Sequence, residues 1–322
     1  LKLLNLNFEN INLEDVRFAT YNKFSLEIDN NFKIKNIILN SNISVNQIKY
    51  QKPDILENYF SDINDFILLK NHTLDLNYKN KNLSIKGEGE IQLESEKDQI
   101  KYVINKKDKE LRINTELFLK NINLKKQDFL KTYFPQINKK INFQNHKLNI
   151  SYNNENLSFS GSGDFKVDKE LEKINYSFEK NKNKIKFNTE INLKNTKFKI
   201  DNINYKKKDK TKLYLEIKGE LENEKNLSID KFIISEKNNK IEIINLSLNH
   251  LKQVSKIDQA NFNYLDTENK INNFYIKKIT NNDYIIEGVS FNANSLISNL
   301  LKSDDKKENK LFEKNLNIDV NI

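Results

Sequence analysis

The stretch NLSIKGEGEIQL at residues 82–93 returns as NLSFSGSGDFKV at residues 156–167, an offset of 74 positions. In the first copy Leu83, Ile85, Gly87, Gly89, Ile91 and Leu93 fall on one parity, and Ser84, Lys86, Glu88, Glu90 and Gln92 on the other. Successive side chains of a strand point to opposite faces, so this stretch reads as a β-strand with one apolar and one polar face. The second copy keeps the phase through Leu157, Phe159, Gly161, Gly163, Phe165 and Val167.

Outward from this strand the offset continues without a gap. DILENYFSDIN at 54–64 becomes DFLKTYFPQIN at 128–138, and Asn71-His72 ahead of Leu74 becomes Asn145-His146 ahead of Leu148. Ile100 and Tyr102 find Ile174 and Tyr176, while NTELFLKN at 114–121 finds NTEINLKN at 188–195. Roughly a third of positions 53–124 are identical to 127–198, which marks a duplicated supersecondary unit. Upstream, IILNSNISVNQIKYQK at 37–52 precedes LRINTELFLKNINLKK at 111–126 by the same offset. Downstream, LEIKGE at 215–220 echoes LSIKGE at 83–88, with Lys206–Lys212 where a helical segment is expected. The predicted organisation is one elongated repeat array over 1–322: a partial repeat at 1–52, repeats at 53–126 and 127–200, a degenerate repeat at 201–301, then a linker and the start of another strand at 302–322.

Period-two alternation predicts strands between Leu3 and Tyr50, then at Leu74–Tyr78, Leu83–Leu93, Gln99–Ile104 and Leu111–Leu119. The second repeat gives Leu148–Tyr152, Leu157–Val167, Ile174–Phe178 and Ile185–Leu193. Further strands are predicted at Phe198–Tyr205, Lys212–Leu221, Leu227–Ser235, Lys240–Asn249, Ile257–Leu265, Ile271–Lys277 and Tyr284–Phe291. Short helices are expected at 53–60, behind Pro53, at Asp128–Phe134 and at Ala293–Leu301, with Lys302–Lys310 a charged linker. The fold class is mainly β: an antiparallel meander of repeated units of about 74 residues with a few short helices. Three short helices cannot cover some twenty apolar stripes, so either two sheets close on each other or the sheet curls into an open groove.

Composition narrows the partners. Of 54 basic residues only Arg17 and Arg112 are arginine, and Gly and Pro number 6 and 2, a pattern of coding bias more than of functional choice. The net charge of +9 is spread over mixed strand faces without a basic stripe interleaved with aromatics, so nucleic acid is not an expected partner. With no cysteine there is no disulfide framework and no thiolate metal site. No apolar run approaches the length of a membrane-spanning helix, and no signal peptide opens the sequence. The absence of Met, the first residue Leu1 and the strand-like NLNIDVNI at 315–322 predict a natural protein that extends at both ends.

No residue pattern demands catalysis. Gly87-x-Gly89 and Gly161-x-Gly163 sit inside strands, not at strand-to-helix turns, so they read as bends, not phosphate cradles. His72, His146 and His250 have no nucleophile, carboxylate or metal ligand at useful spacing and read as turn or surface residues. The scattered Asp and Glu read as solvated cross-strand partners. Tyr59-Phe60 and Tyr133-Phe134 read as the aromatic face of a helix packed on the sheet. No enzyme activity, cofactor or metal is expected.

Taken together, the repeated Gly-x-Gly strand, the NTELFLKN/NTEINLKN strand, INYKKKDKTKLYLEIKGE at 203–220 and YIIEGVSFNANSLISNLL at 284–301 resemble the AsmA-like family of Gram-negative bacteria, with its YhdP- and TamB-type members. The resemblance implies a periplasmic body of repeating β-groove units, an inner-membrane anchor outside this sequence, phospholipid traffic toward the outer membrane, and no catalytic residue. Phospholipids are then the expected partners, with membranes reached through other segments. The expected groove lining is Leu83, Ile85, Gly87, Gly89, Ile91, Leu93, Ile100, Tyr102, Ile113 and Leu117, repeated at Leu157, Phe159, Gly161, Gly163, Phe165 and Val167. Two other readings share the alternation: a self-packed β-repeat scaffold or adhesin with a dry, lipid-free interior, and an outer-membrane barrel with its apolar face outward.

Overall fold

In the computed structural model, which describes residues 11–12, 16–137, 140–167, 169–223, 225–251, 253–294, 297–298 and 312–322, the chain is mainly β with few short helices. The strands form an antiparallel meander that is not closed into a barrel. Contacts divide the chain into two compact units, residues up to Lys125 with Lys140–Gly163, and Lys126–Lys139 with residues from Asp164 onward.

Unit 1 begins with β1 (Ile11–Asn12), β2 (Phe18–Ile28), β3 (Ile34–Gln51) and β4 (Phe66–Lys79). It continues with β5 (Asn82–Gln92), β6 (Asp98–Lys107), β7 (Glu110–Lys125), β8 (Lys140–Asn153) and the first part of β9 (Asn156–Val167). From β2 to β8 each strand pairs antiparallel with the next, and β1 adds two residues along the far end of β3. The sequence repeat governs these bounds: β4 and β8 start and end at the same offset, and their residue-by-residue burial patterns are identical.

Unit 2 holds β10 (Glu170–Asn181), β11 (Lys184–Leu193), β12 (Lys199–Ile200), β13 (Tyr205–Lys206), β14 (Leu213–Glu222) and β15 (Asn226–Glu236). After these come β16 (Asn239–Leu248), β17 (Val254–Leu265), β18 (Ile271–Lys278), β19 (Asp283–Ser290) and β20 (Asn317–Asn321). The order runs β10–β11–β14 to β19 antiparallel, and β20 joins β19 in parallel.

Three local expectations are corrected. Behind Pro53 the chain makes one 3-10 turn, Asp54–Asn58, and the second repeat only a four-residue helix, α1 (Leu130–Tyr133), both too short to present a helical face. Accordingly Tyr59 and Tyr133 are exposed, and of the two Tyr-Phe pairs only Phe134 is buried, edge-on to Phe198 at 5.3 Å. Phe198–Tyr205 is not one strand: β12 and β13 fold back as a two-stranded ribbon around a 3-10 turn at Asp201–Ile203, closed by Asn204 at φ 54°. Asn is among the few residues that tolerate that left-handed conformation. The helix expected over Ala293–Leu301 and the linker Lys302–Lys310 fall largely outside the described residues.

Candidate functional site

Cross-strand register assembles the predicted lining into rows. In unit 1 one row runs Leu76, Ile85, Ile104, Ile113, Tyr152 over β4 to β8. A second runs Leu74, Gly87, Tyr102, Thr115, Ile150, and a third joins Gly89, Ile100, Leu117 and Leu148. Directly opposed apolar side chains on one face are the unit of sheet stabilisation. Every non-glycine member of these rows is nonetheless only half-buried, while Leu83 and Ile91 at the two ends of β5 are buried. Leu93 lies just past β5, where its carbonyl accepts the Asn64 N–H at 2.9 Å.

The second copy divides. Phe159, Gly161 and Gly163 belong to unit 1 and are half-buried, and Leu157 is exposed there; Phe165 and Val167 belong to unit 2 and are buried. The rows of unit 2 differ in kind. Leu215, Ile234, Ile241, Phe262 and Phe274 face one another over five strands, and their exposure runs from 0 % at Ile234 to 8 % at Phe262. Aromatic side chains close over this unit: the Tyr205 ring of the ribbon stands 5.9 Å from Tyr264, whose hydroxyl donates to the Ile203 carbonyl at 2.7 Å, and Phe291 lies 4.3 Å from Phe274.

Gly87, Gly89 and Gly163 are each covered by a ring and do not read as bare bends. A Cβ at Gly89 would stand 2.5 Å from His72 Cδ2, one at Gly163 2.5 Å from His146 Cδ2, and one at Gly87 2.6 Å from Tyr102 Cε2. Only glycine leaves room for a ring lying on the backbone. This overturns the surface reading of His72 and His146, which are 3 % and 1 % exposed; His250 is exposed. Both histidines follow an asparagine at φ 52°, and at Asn71 the pairing of β4 with β5 shifts register, a bulge that aims the next side chain onto the sheet. His72 lies in phase with Leu74 and Leu76, which was the available signal.

The hydrogen bonds fix the His72 tautomer. Nε2 lies 3.0 Å from the Glu90 carbonyl oxygen, which only accepts, so Nε2 carries the proton and Nδ1 accepts the Tyr102 hydroxyl at 3.3 Å. Burial holds the His72 pKa below its ordinary value and pushes Tyr102 up to about 12, so a neutral imidazole meets a protonated phenol.

Several acids that looked like solvated partners are buried. Asp98 accepts the Lys120 N–H at 2.8 Å, and its repeat counterpart Glu172 accepts those of Lys194, Asn195 and Thr196 at 2.6–2.8 Å. Glu94 takes both the main-chain and side-chain N–H of Asn123 at 2.8 Å. Glu236 accepts from the Tyr205 hydroxyl and the Lys208 N–H, both at 2.8 Å, from Asn239 at 3.2 Å and from Thr211. Lys207 is buried beside them and donates to the Lys194 carbonyl at 2.7 Å; burial lowers its pKa. These carboxylates satisfy main-chain donors left over where strands end.

A hollow of about 630 Å³ over the middle of unit 1 is walled chiefly by Asp75, Lys86, Glu88, Lys101, Asn114 and Glu116. Those positions alternate with the apolar rows, so the hollow opens on the polar face. Among the described residues no group of three or more His, Asp or Glu side chains is placed to hold a metal ion, and no helix is long and apolar enough to cross a membrane. No protein family, curated protein or solved structure matches this chain.

Proposed function

We propose that this chain is a periplasmic β-groove segment of AsmA-like type that shields phospholipid acyl chains and conducts lipids between the inner and outer membranes. The observation that carries the reading is the half-buried state of the apolar rows in unit 1, where Ile85, Ile104, Ile113 and Tyr152 stand in register but reach solvent. Burying a methylene is worth about 0.8 kcal/mol, so exposing a 16-carbon acyl chain to water costs on the order of 10 kcal/mol. A wall of Leu, Ile and Tyr removes most of that cost without recognising a particular chain. The wall performs no chemistry, and the reading assigns no catalytic residue.

The test is lipid extraction from the purified chain after Asp is placed at Ile85 and Phe159, both on the apolar face of unit 1. The conduit reading expects bound phospholipid to fall sharply while the fold is retained by circular dichroism; unchanged lipid content would sink it.

A self-packed scaffold without lipid cargo is the second reading, and the burial in unit 2 favours it. Ile234, Ile241 and Ala260 are at most 1 % exposed, which leaves an acyl chain no surface there. The conduit is accordingly proposed for unit 1.

A further inference from the structure

Phe32 stands at the tip of the β2–β3 hairpin with φ 60°, and every other described non-glycine residue with positive φ is Asn, Asp or Lys. A bulky residue is costly in that conformation. Phe32 recovers nothing by packing, because it is 89 % exposed. The turn beneath it is firmly made: the Asp29 carboxylate accepts the N–H of Asn31 and of Lys33, each at 2.9 Å, and the Phe32 N–H donates to the Asp29 carbonyl at 2.9 Å. The ring is therefore held outward.

The hairpin also overhangs its neighbours. Ile38 faces Lys79, the last residue of β4, and the Ile37 carbonyl accepts the Asn80 N–H at 3.3 Å, so Ile34 to Asn36 run past this neighbour by roughly 10 Å at 3.3 Å per residue. Ile28 and Ile34 flank the tip and are each 58 % exposed. The β4–β5 and β6–β7 turns lie at this same end of the strands and carry Lys79, Lys81, Lys107 and Lys109, exposed and in no ion pair among the described residues. Of the acids at this end, Asp29 is engaged by Lys35, Glu27 by Asn36 and Glu110 by Arg112; Asp108, at the β6–β7 turn, and Glu155, at the β8–β9 turn, are exposed.

We propose that the β2–β3 tip is a membrane-docking finger: Phe32, with Ile28 and Ile34, enters the interface of an anionic phospholipid bilayer while Lys33 and the neighbouring turn lysines meet its head groups. Aromatic and aliphatic side chains ringed by cations are the combination that such an interface binds. The finger is separate from the apolar rows of unit 1 and stands whether or not those rows carry lipid.

The experiment is co-sedimentation of the 322-residue chain with phosphatidylcholine vesicles with and without phosphatidylglycerol. Wild type is expected to bind the anionic vesicles and not the neutral ones. Phe32→Asn installs the residue type used at other tips, so it keeps the fold, and it should weaken binding about tenfold or more from the lost apolar burial. Phe32→Trp places one indole in a chain without Trp, and its emission should move to shorter wavelength on anionic vesicles. Undiminished binding by Phe32→Asn, equal binding to neutral vesicles, an unshifted emission, or a tip that captures a protein but no vesicle would each overturn the proposal.

Discussion

The His72 ring occupies the volume that a side chain at Gly89 would need, and the His146 ring does the same over Gly163. The Asn-His pair and the Gly-x-Gly strand are thus two halves of one contact, and the duplication carried them together.

Gly89→Ala is expected to cost about 1–3 kcal/mol, since its methyl group collides with the buried His72 ring. Chemical denaturation measures this. Combining Gly89→Ala with His72→Ala should cost less than the sum of the two single changes, because the second removes what the first strikes. Strict additivity would mean that the ring does not define the gap.

Acid should loosen unit 1 through His72. Its folded pKa lies below the ordinary value of 6.5 because of burial, so the unfolded chain binds the proton first. Stability from this group is fully present above about pH 6.5 and is lost as pH falls toward the lowered folded value. Urea midpoints between pH 5 and 7.5 should fall with acid in wild type and fall less in His72→Gln. Equal slopes in the two proteins would remove His72 as the cause.

Glu236→Ala strands the Tyr205 hydroxyl and the Lys208 N–H without their acceptor, at an expected cost of about 2–4 kcal/mol. Because those donors tie the β12–β13 ribbon down, the loss should appear locally. Trypsin cleavage at Lys206–Lys210 should accelerate before the rest of the chain is attacked, and Glu236→Gln, which keeps one acceptor oxygen, should sit between the two.

Truncations should separate the two units. Ile234→Ala empties a site at 0 % exposure and is expected to cost about 2–5 kcal/mol. Ile85→Ala removes a side chain that already reaches solvent and should cost about 1 kcal/mol. Equal costs would mean that the face of unit 1 is as fully packed as that of unit 2.

The strands were legible because alternation and the repeat are local properties, but their bounds were not: Leu74–Tyr78 and Leu148–Tyr152 are only the ends of β4 and β8, which begin at Phe66 and Lys140. Contacts across the sheet were not. Asp98 and Glu172 are repeat equivalents, yet nothing near them in sequence says that each accepts an N–H 22 residues further on. His72 and His146 were misplaced because an Asn-His pair resembles a turn, and only the bulge at Asn71 turns the ring onto Gly89. The ribbon at β12–β13 reads as a strand because Phe198 and Ile200, then Ile203 and Tyr205, are each two apart; the two pairs are out of phase, and Asn204 in its left-handed conformation turns the chain between them. Of the predicted lining, the rows through Ile85, Tyr102 and Leu117 come together, while Leu157 is exposed and Phe165 and Val167 belong to the packed unit.

Native mass spectrometry of the detergent-free chain, followed by lipid extraction, addresses the conduit most directly. The account predicts phospholipids of mixed acyl composition bound to the folded chain, several per molecule, since the rows of unit 1 recognise no particular tail. A lipid-free, stably folded chain from a phospholipid-rich host would contradict it and leave the self-packed scaffold in its place.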